Sequence, residues 1–487
     1  MQEDNLRALI DDVRRQKTEK QTLELKAAHG GFPGKIYDTL SSFSNQDDGG
    51  VLLFGITDKP DYAVVGVYDA EDAQKKIMEA CSQMEPKVRP LITICEIDGK
   101  MVIAAEIPGV GHSLRPVFYK GAGRLKGSFI RIGDADEPMS EYEIYSYEVF
   151  RRRIRDELRT VDHARLSLFD QERMAGYLAA VKSERKNLAE NVPDEDILEL
   201  MGVTCEGKPT LAGIMTFSRY PQTYFPQLCI TAVAVPGTQL GDTDADGSRF
   251  LDNIRITGAI PEMLAEAVEF VRKNSRTKTV INEDGRRADR PEYPLRAVRE
   301  AVLNALIHRD YSIYSENTPV SIEMYRDRMT IRNRGGLYGG GSVKQLGKGR
   351  PETRNAALAN MLEILKITEN RYSGIPTILQ DFAHAGLPEP EFAVRRGDFV
   401  VTFRNGLFVP AGEIGKANLP EAILRFCKQP RSRKELVEFT GKSQYYTMSV
   451  IIQPLLDAGK LRYTLPEKPK SPKQRFVSTY QLRESET

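Results

Sequence analysis

The chain has 487 residues, too many for a single hydrophobic core, so two to four domains are expected. Lysine plus arginine (69) and aspartate plus glutamate (68) almost cancel to a formal charge of +1, which excludes a uniformly basic nucleic-acid binder and confines any such surface to local patches. The five cysteines are scattered and odd in number, no apolar run reaches bilayer length, and the start MQEDNLRALIDD lacks a signal-peptide profile; a disulfide scaffold, a zinc domain and a membrane protein are therefore not expected, and a soluble, cytoplasmic chain is.

An opening helical segment leads to Glu19-Lys20-Gln21-Thr22-Leu23-Glu24-Leu25-Lys26, where Leu23 and Leu25 alternate with charged neighbours as in a half-buried strand. A helix around 35–44 follows, then a buried strand within Gly49 to Asp58 that ends in a turn. Val64 to Val67, a helix near 70–82 and strands at 91–96, 101–107 and 128–132 complete an α+β unit ending near residue 140. Residues 141–175, with arginines clustered from Arg151 to Arg155, read as a helical linker. Beyond 176, Pro209 to Phe217 and Phe225 to Val233 look like buried strands. Asp242 to Asp246 is a polar loop without calcium-loop spacing, 260–273 is a helix, and 278–292 is a charged connector.

Residues 295–311 read as one helix with two faces. Leu295, Val298, Val302, Ala305 and Leu306 recur at helical spacing, while Arg296, Glu300, Asn304 and His308 repeat every fourth residue along another stripe. Such a stripe is costly to bury unless each group has a partner, so it is a solvated face, a satisfied network or a site. A strand-like VSIEMYRDRMTIRN follows, then a glycine-rich turn from Arg334 to Gly341, whose backbone could approach a ligand closely and offer N–H groups to phosphate; a flexible loop is the plainer reading. The basic segment Lys344 to Arg354, helices at 356–366 and 375–386, and paired strands at 391–404 close this region near 405.

The C-terminal piece, 416–487, reads as a separate winged helix-turn-helix. A first helix spans 419–428, the capping-box pattern Ser432 to Glu435 starts a second, Gly441 ends it, and Ser443 to Ala458 forms a third with Tyr446, Val450, Ile451 and Leu455 on an apolar side. Strands at 460–465 and 475–481 flank a hairpin carrying Lys460, Arg462, Lys468, Lys470, Lys473 and Arg475 against one acid, Glu467. Lys442, Ser443, Gln444 and Tyr445, at the start of the third helix, are the candidates for base contacts. Winged helices also serve as protein contacts, and both readings stay open.

Two resemblances organise these elements. The Leu-Glu-Leu-Lys strand, Phe43-Ser44-Asn45, the Gly49-Gly50 pair and the Phe54-Gly55-Ile56-Thr57-Asp58 turn resemble the Schlafen-type, AlbA-like domain. That resemblance implies association with nucleic acid, RNA as well as DNA. Some eukaryotic Schlafen members are endoribonucleases using two Glu and one Asp, so it also implies Glu19, Glu24 and Asp58 as a metal-binding triad; the alternative is ordinary strand-edge and turn charges.

The helix at 295–311 with the strand, glycine turn and basic segment after it resembles the gyrase, histidine kinase and mismatch-repair (Bergerat) ATPase superfamily, in the divergent branch found beside Schlafen-type domains in bacterial proteins classed with transcriptional regulators. The chain from 176 resembles the leading part of that ATPase region. The resemblance implies ATP with Mg²⁺ in a site within 290–380 and a homodimer. Asn304 would coordinate the metal and Glu300 would activate water if hydrolysis occurs. His308, Asn333, Gly335, Gly336 and Gly374 would surround the nucleotide, and Lys348, Arg350 and Arg354 would meet the triphosphate from the lid side; the plainer readings are a structural partner for Glu or backbone at His308 and a surface charge at each of the three cations.

This chain departs from the superfamily at Asn333, where an Asp usually reads adenine, and at Tyr372-Ser373-Gly374-Ile375, where the branch often has Gly-Thr-Gly. The expected fold class is α+β multidomain: an AlbA-like α+β domain over 1–140, a helical linker over 141–175, a Bergerat-type α/β sandwich over 176–405 and a winged helix-turn-helix over 416–487. The expected function is an ATP-binding, DNA-associated transcriptional regulator acting on double-stranded DNA. The alternatives are a metal-dependent nuclease, acting in defence against foreign nucleic acid, and a scaffold with a decayed nucleotide site.

Overall fold

The computed structural model describes the chain except residues 19, 59–61, 245, 282–286, 341–342, 349–351, 369–373, 396, 406–418, 428, 441–443, 445, 469–470, 472–473 and 480–487. In the N-terminal part, strand Gly50–Phe54 runs parallel to Leu23–Lys26 and antiparallel to Lys100–Ile107, which pairs in turn with Leu91–Ile97. Helix Glu3–Gln16 lays Leu6, Ile10 and Val13 against one face of this sheet, among Leu23, Leu25 and Leu53. Helices Tyr37–Ser44 and Ala70–Ser82 cover the other face, packing Leu40, Phe43 and Ile77 with Leu52 and Phe54. Adjacent residues of a strand point to opposite faces, so a strand covered on both must be apolar at every position. The run Val51-Leu52-Leu53-Phe54 meets that requirement.

A second, larger core surrounds a six-stranded mixed sheet in the order Asp252–Ile256, Ile230–Ala234, Val320–Met324, Arg328–Arg334, Asp398–Arg404, Glu391–Arg395. Strand Ile230–Ala234 is parallel to Val320–Met324, and the other pairings are antiparallel. Helices Ile260–Asn274, Leu295–His308, Ala356–Ile364 and Gly374–His384 bury their apolar faces in the same core, which also takes in Ala164 and Phe169 from the linker stretch.

Three expectations for the central region are corrected here. Residues 211–217 form a helix, Leu211–Phe217, rather than a strand. Thr210 caps it, its hydroxyl accepting from Gly213 N–H at 3.0 Å and donating to Gly202 C=O at 2.7 Å. All seven helical residues are buried, and a segment apolar on every side carries no period that separates helix from strand. The charged connector contains an antiparallel pair, Thr277–Ile281 with Arg287–Pro291; its charges masked the β-forming Thr277, Thr279, Val280 and Ile281.

The central helix stops at His308, three residues early. Arg309 turns inward, buried, to donate to Ser315 C=O at 3.3 Å and Thr318 C=O at 2.7 Å. Asn355 Nδ2 donates to Ile307 C=O at 2.7 Å and Arg309 C=O at 2.8 Å, satisfying carbonyls that the helix end leaves open.

The C-terminal part has its own small core, including Ile423, Leu436, Phe439, Ile452, Leu455 and Phe476. Helices Leu419–Phe426 and Arg433–Thr440 precede a π-type turn Tyr446–Ile452 that runs into helix Gln453–Asp457. A three-stranded sheet ordered Arg431–Ser432, Arg475–Ser478, Leu461–Tyr463 follows. The capping box is formed: Ser432 N–H donates to Glu435 Oε2 at 2.8 Å and Glu435 N–H to Ser432 Oγ at 3.3 Å. The expected third helix is interrupted because Pro454 has no N–H for the carbonyl one turn earlier, and the winding widens before it. Val450, expected on the apolar side, is exposed.

Candidate nucleotide site

Ala297, Val298, Ala301, Val302, Ala305 and Leu306 bury one face of helix Leu295–His308 in the central core, which turns Arg296, Glu300 and Asn304 of the polar stripe toward helix Gly374–His384. Arg296 forms a two-pronged pair with Asp381 on that helix, at 3.0 and 2.7 Å. One turn on, Asn304 Nδ2 donates to Glu300 Oε1 at 3.3 Å. Gly374, the first residue of the second helix, lies directly on this pair: a Cβ there would overlap Glu300 Oε1 and approach Asn304 Nδ2 to 2.9 Å. Without a Cβ at 374, the helix end sits against this pair while the pair keeps its own contact.

This arrangement suits a cation. The Asn304 amide nitrogen faces Glu300, so the group it can offer a metal is its carbonyl oxygen, a hard ligand of the kind Mg²⁺ takes. Glu300, four residues away on the same stripe, is half-buried and within reach of the same space. His308 ends the stripe; burial, helped by Arg354, pushes its imidazole down to about 4, so the ring is neutral near pH 7.

The residues expected after the helix divide into two groups. Asn333 is buried on strand Arg328–Arg334, its Nδ2 donating to Arg334 C=O at 3.2 Å. Gly335 has φ +97°, and a Cβ there would stand 3.0 Å from the backbone N and Cβ of Asp310. Arg354 points back into the fold, 3.3 Å from Asp310 Oδ2 and 3.4 Å from Gly336 C=O, with its guanidinium 5.3 Å from the Tyr338 ring. It thus braces the glycine turn, whereas the sequence suggested a reach toward phosphate from the lid side. Gly336 packs on Val394, and Lys348 is exposed. Arg350, Tyr372 and Ser373 lie outside the described residues.

Sequence reasoning missed Asp310. Burial works to raise its carboxyl, but Arg354 and hydrogen bonds from Ser312 and Tyr142 outweigh it and hold the group below the usual carboxylate range. Asp310 N–H also donates to Arg334 C=O at 2.8 Å, tying the end of the central helix to the start of the glycine turn. An ionisable pair just past the last apolar position, His308 and Asp310, was the available signal.

At the N-terminal end, Glu24 is held by Lys26 at 2.6 Å and by buried Arg131 at 2.8 Å, and Arg131 also pairs with Asp136 at 2.9 Å. Asp58 is exposed beyond strand Gly50–Phe54, and Glu19 lies outside the described residues. Among the described residues no three His, Cys, Asp or Glu side chains gather as metal ligands. At the C-terminal end, Gln444 and Lys468 are exposed. Arg475 is exposed too, donating to Pro430 C=O at 3.2 Å. Lys442, Ser443, Tyr445, Lys470 and Lys473 lie outside the described residues. None of the helices among the described residues is long and apolar enough to cross a membrane.

Residues 19–140 match the family model for Schlafen, AlbA_2, and residues 317–403 match the model described as Putative ATP-dependent DNA helicase recG C-terminal. The second match begins after the central helix, so it takes in Asn333, Gly335, Gly336, Arg354 and Gly374 but neither Glu300 nor Asn304. Among solved structures, the DIP2311 protein from Corynebacterium diphtheriae is 18% identical, covering 94% of this chain and 93% of that one with a TM-score of 0.37. The N-terminal domain of a putative ATP-dependent DNA helicase RecG-related protein from Nitrosomonas europaea is 27% identical, covering 27% of this chain and 92% of that one with a TM-score of 0.23. No curated protein matches the chain.

Proposed function

We propose, for a chain matched by a Schlafen AlbA_2 model over 19–140 and a RecG C-terminal model over 317–403, that it is an ATP-binding, DNA-associated regulator. In this reading a nucleotide held by the central region alters nucleic-acid binding at the two ends, over units spanning 1–140, 176–405 and 416–487 joined through 141–175. The observation that carries the reading is the Glu300–Asn304 pair beneath Gly374, a metal-capable amide oxygen beside a carboxylate where the second helix end comes close.

Asn304 would hold Mg²⁺ bound to the phosphates, with His308 and the backbone of Gly335 and Gly336 beside it. The metal, when bound, supplies charge neutralisation for the triphosphate. Glu300 would orient an attacking water if ATP is hydrolysed, since it is the carboxylate next to the metal position. Buried Asn333 offers an amide where an acceptor for an exocyclic amine is needed, so discrimination between ATP and GTP is expected to be weaker than a carboxylate would give. The C-terminal part, with its helices and basic hairpin, is read as a winged helix that contacts double-stranded DNA through Gln444, Lys468 and Arg475. The active species is read as a homodimer.

The test is a titration with a fluorescent ATP analogue in Mg²⁺, beside Asn304→Ala and with unlabelled ATP and GTP as competitors. Saturable binding that ATP displaces, weakened about tenfold by Asn304→Ala (roughly 1.4 kcal/mol), is the expected result. Absence of binding to the unaltered protein would overturn the reading.

A further inference from the structure

The glycine turn is gripped from the N-terminal side. His112, on the short turn His112–Leu114, lies against Gly340, where a Cβ would stand 2.5 Å from His112 Cβ and 2.8 Å from its Nδ1. Phe150, near the end of helix Glu141–Arg152, lies against Gly339, where a Cβ would come within 3.0 Å of its ring. Phe150 meets Tyr338 edge-on with centroids 5.1 Å apart, and the His112 ring packs on Tyr147 and Phe150 at 4.8 and 5.3 Å. Around this centre Tyr142 covers Gly397, with the Arg334 guanidinium 5.4 Å from its ring, and Arg153 pairs with Glu352 at 2.9 Å.

We infer that Gly339 and Gly340 form a docking seat for the N-terminal unit and the linker helix that follows it in the same chain, with His112 of the first and Phe150 of the second as the seated side chains, and that a ligand which reshapes the glycine turn displaces them. The second half of this inference rests on the nucleotide reading above. Both glycines have positive φ, +80° and +74°, which a turn alone would explain. A turn does not explain why the space a Cβ would occupy is filled at one position by a ring from the N-terminal unit, His112, and at the other by a ring from the linker helix, Phe150. Burial, with Arg115 nearby, pushes His112 down to about 4, so the ring packs without a charge to desolvate.

The seat also shares parts with the candidate site. Tyr338 has Phe150 on one side and the Arg354 guanidinium 5.3 Å from its ring, and Arg354 is the partner of Asp310 at the end of the central helix. A ligand that favours one arrangement of Arg354 and Tyr338 therefore changes the free energy of docking, and docking changes the ligand's affinity by the same factor.

Amide hydrogen exchange on the full chain without nucleotide tests the seat. Gly340→Ala is expected to speed exchange at residues 112–115 and 147–153 tenfold or more, and adding His112→Gly, which removes the colliding side chain, is expected to restore much of the protection. Arg153→Glu is a surface change that spares the fold; it is expected to loosen the same segments, and Arg153→Glu with Glu352→Arg to tighten them again. Unchanged exchange in both Gly340→Ala and Arg153→Glu would overturn the seat. Saturating fluorescent ATP analogue with Mg²⁺ is expected to speed exchange in those segments of the unaltered protein. Bound nucleotide with unchanged exchange would overturn the displacement, whereas a failure to bind nucleotide would overturn the nucleotide reading and leave the seat to be judged by the variants.

Discussion

At the residue scale the candidate site depends on a missing side chain. Gly374 brings one helix end onto the polar stripe of another, and in Gly374→Ala the methyl group displaces the Glu300 carboxylate from its contact with Asn304. The displaced atoms are the far end of a flexible side chain, so the expected cost in stability is about 1 kcal/mol or less, the scale of one hydrogen bond. The effect is expected chiefly as weaker ATP-analogue binding at a nearly unchanged urea midpoint; unaltered binding would show that the Glu300–Asn304 pair is not part of the site. His308 gives a second prediction. In the unfolded chain its imidazole takes up a proton near 6.5, but in the fold only near 4, so between these values the unfolded state binds more protons. Its contribution to stability is full above about pH 6.5, falls as the pH drops through that window, and is gone below about 4. Urea midpoints at pH 7 and pH 5 should therefore differ less in His308→Gln than in the unaltered protein, and the comparison cancels carboxylates such as Glu157, whose raised value works in the opposite direction.

At the element scale, caps decide what hydrophobicity leaves open. The segment Leu211–Phe217 is buried at every position, and what makes it a helix is Thr210, closing the first turn onto Gly213 N–H and reaching Gly202 C=O. Thr210→Ala is expected to cost about 1–2 kcal/mol, the usual range for a lost N-cap, as a lower denaturant midpoint with an unchanged slope. A change under a few tenths would mean that packing alone holds the helix. The capping box at Ser432 was readable because its two partners are three residues apart in sequence. The cap on the central helix was not, because Asn355 comes from a distant segment to take the carbonyls of Ile307 and Arg309. That is why the helix was expected to run to Tyr311 and ends at His308.

At the scale of the whole molecule, the near-zero net charge makes binding to nucleic acid a matter of local surfaces. If the basic hairpin touches DNA phosphates, Lys468→Ala and Arg475→Ala should each flatten the dependence of log affinity on log salt by about 0.9, the slope of one phosphate contact. Filter binding or anisotropy at several salt concentrations measures this, and an unchanged slope would assign the hairpin to another partner.

Periodicity and local motifs were sufficient to find, from sequence alone, the buried strand within 49–58, the opening helix, the helices expected at 260–273 and 375–386 and the polar stripe through Glu300 and Asn304. Each depends on residues within a few positions of one another, where side-chain direction follows from backbone geometry. Tertiary structure decided the rest. The inward turn of Arg354 onto Asp310, the pairing of Glu24 with Arg131, the closeness of Gly374 to Glu300 and the rings of His112 and Phe150 on Gly340 and Gly339 join segments far apart in the chain. A charged residue reads the same in sequence whether it faces solvent, a ligand or a buried partner. Only the packing that brings the second group within a few ångströms, and removes water from between them, selects among the three.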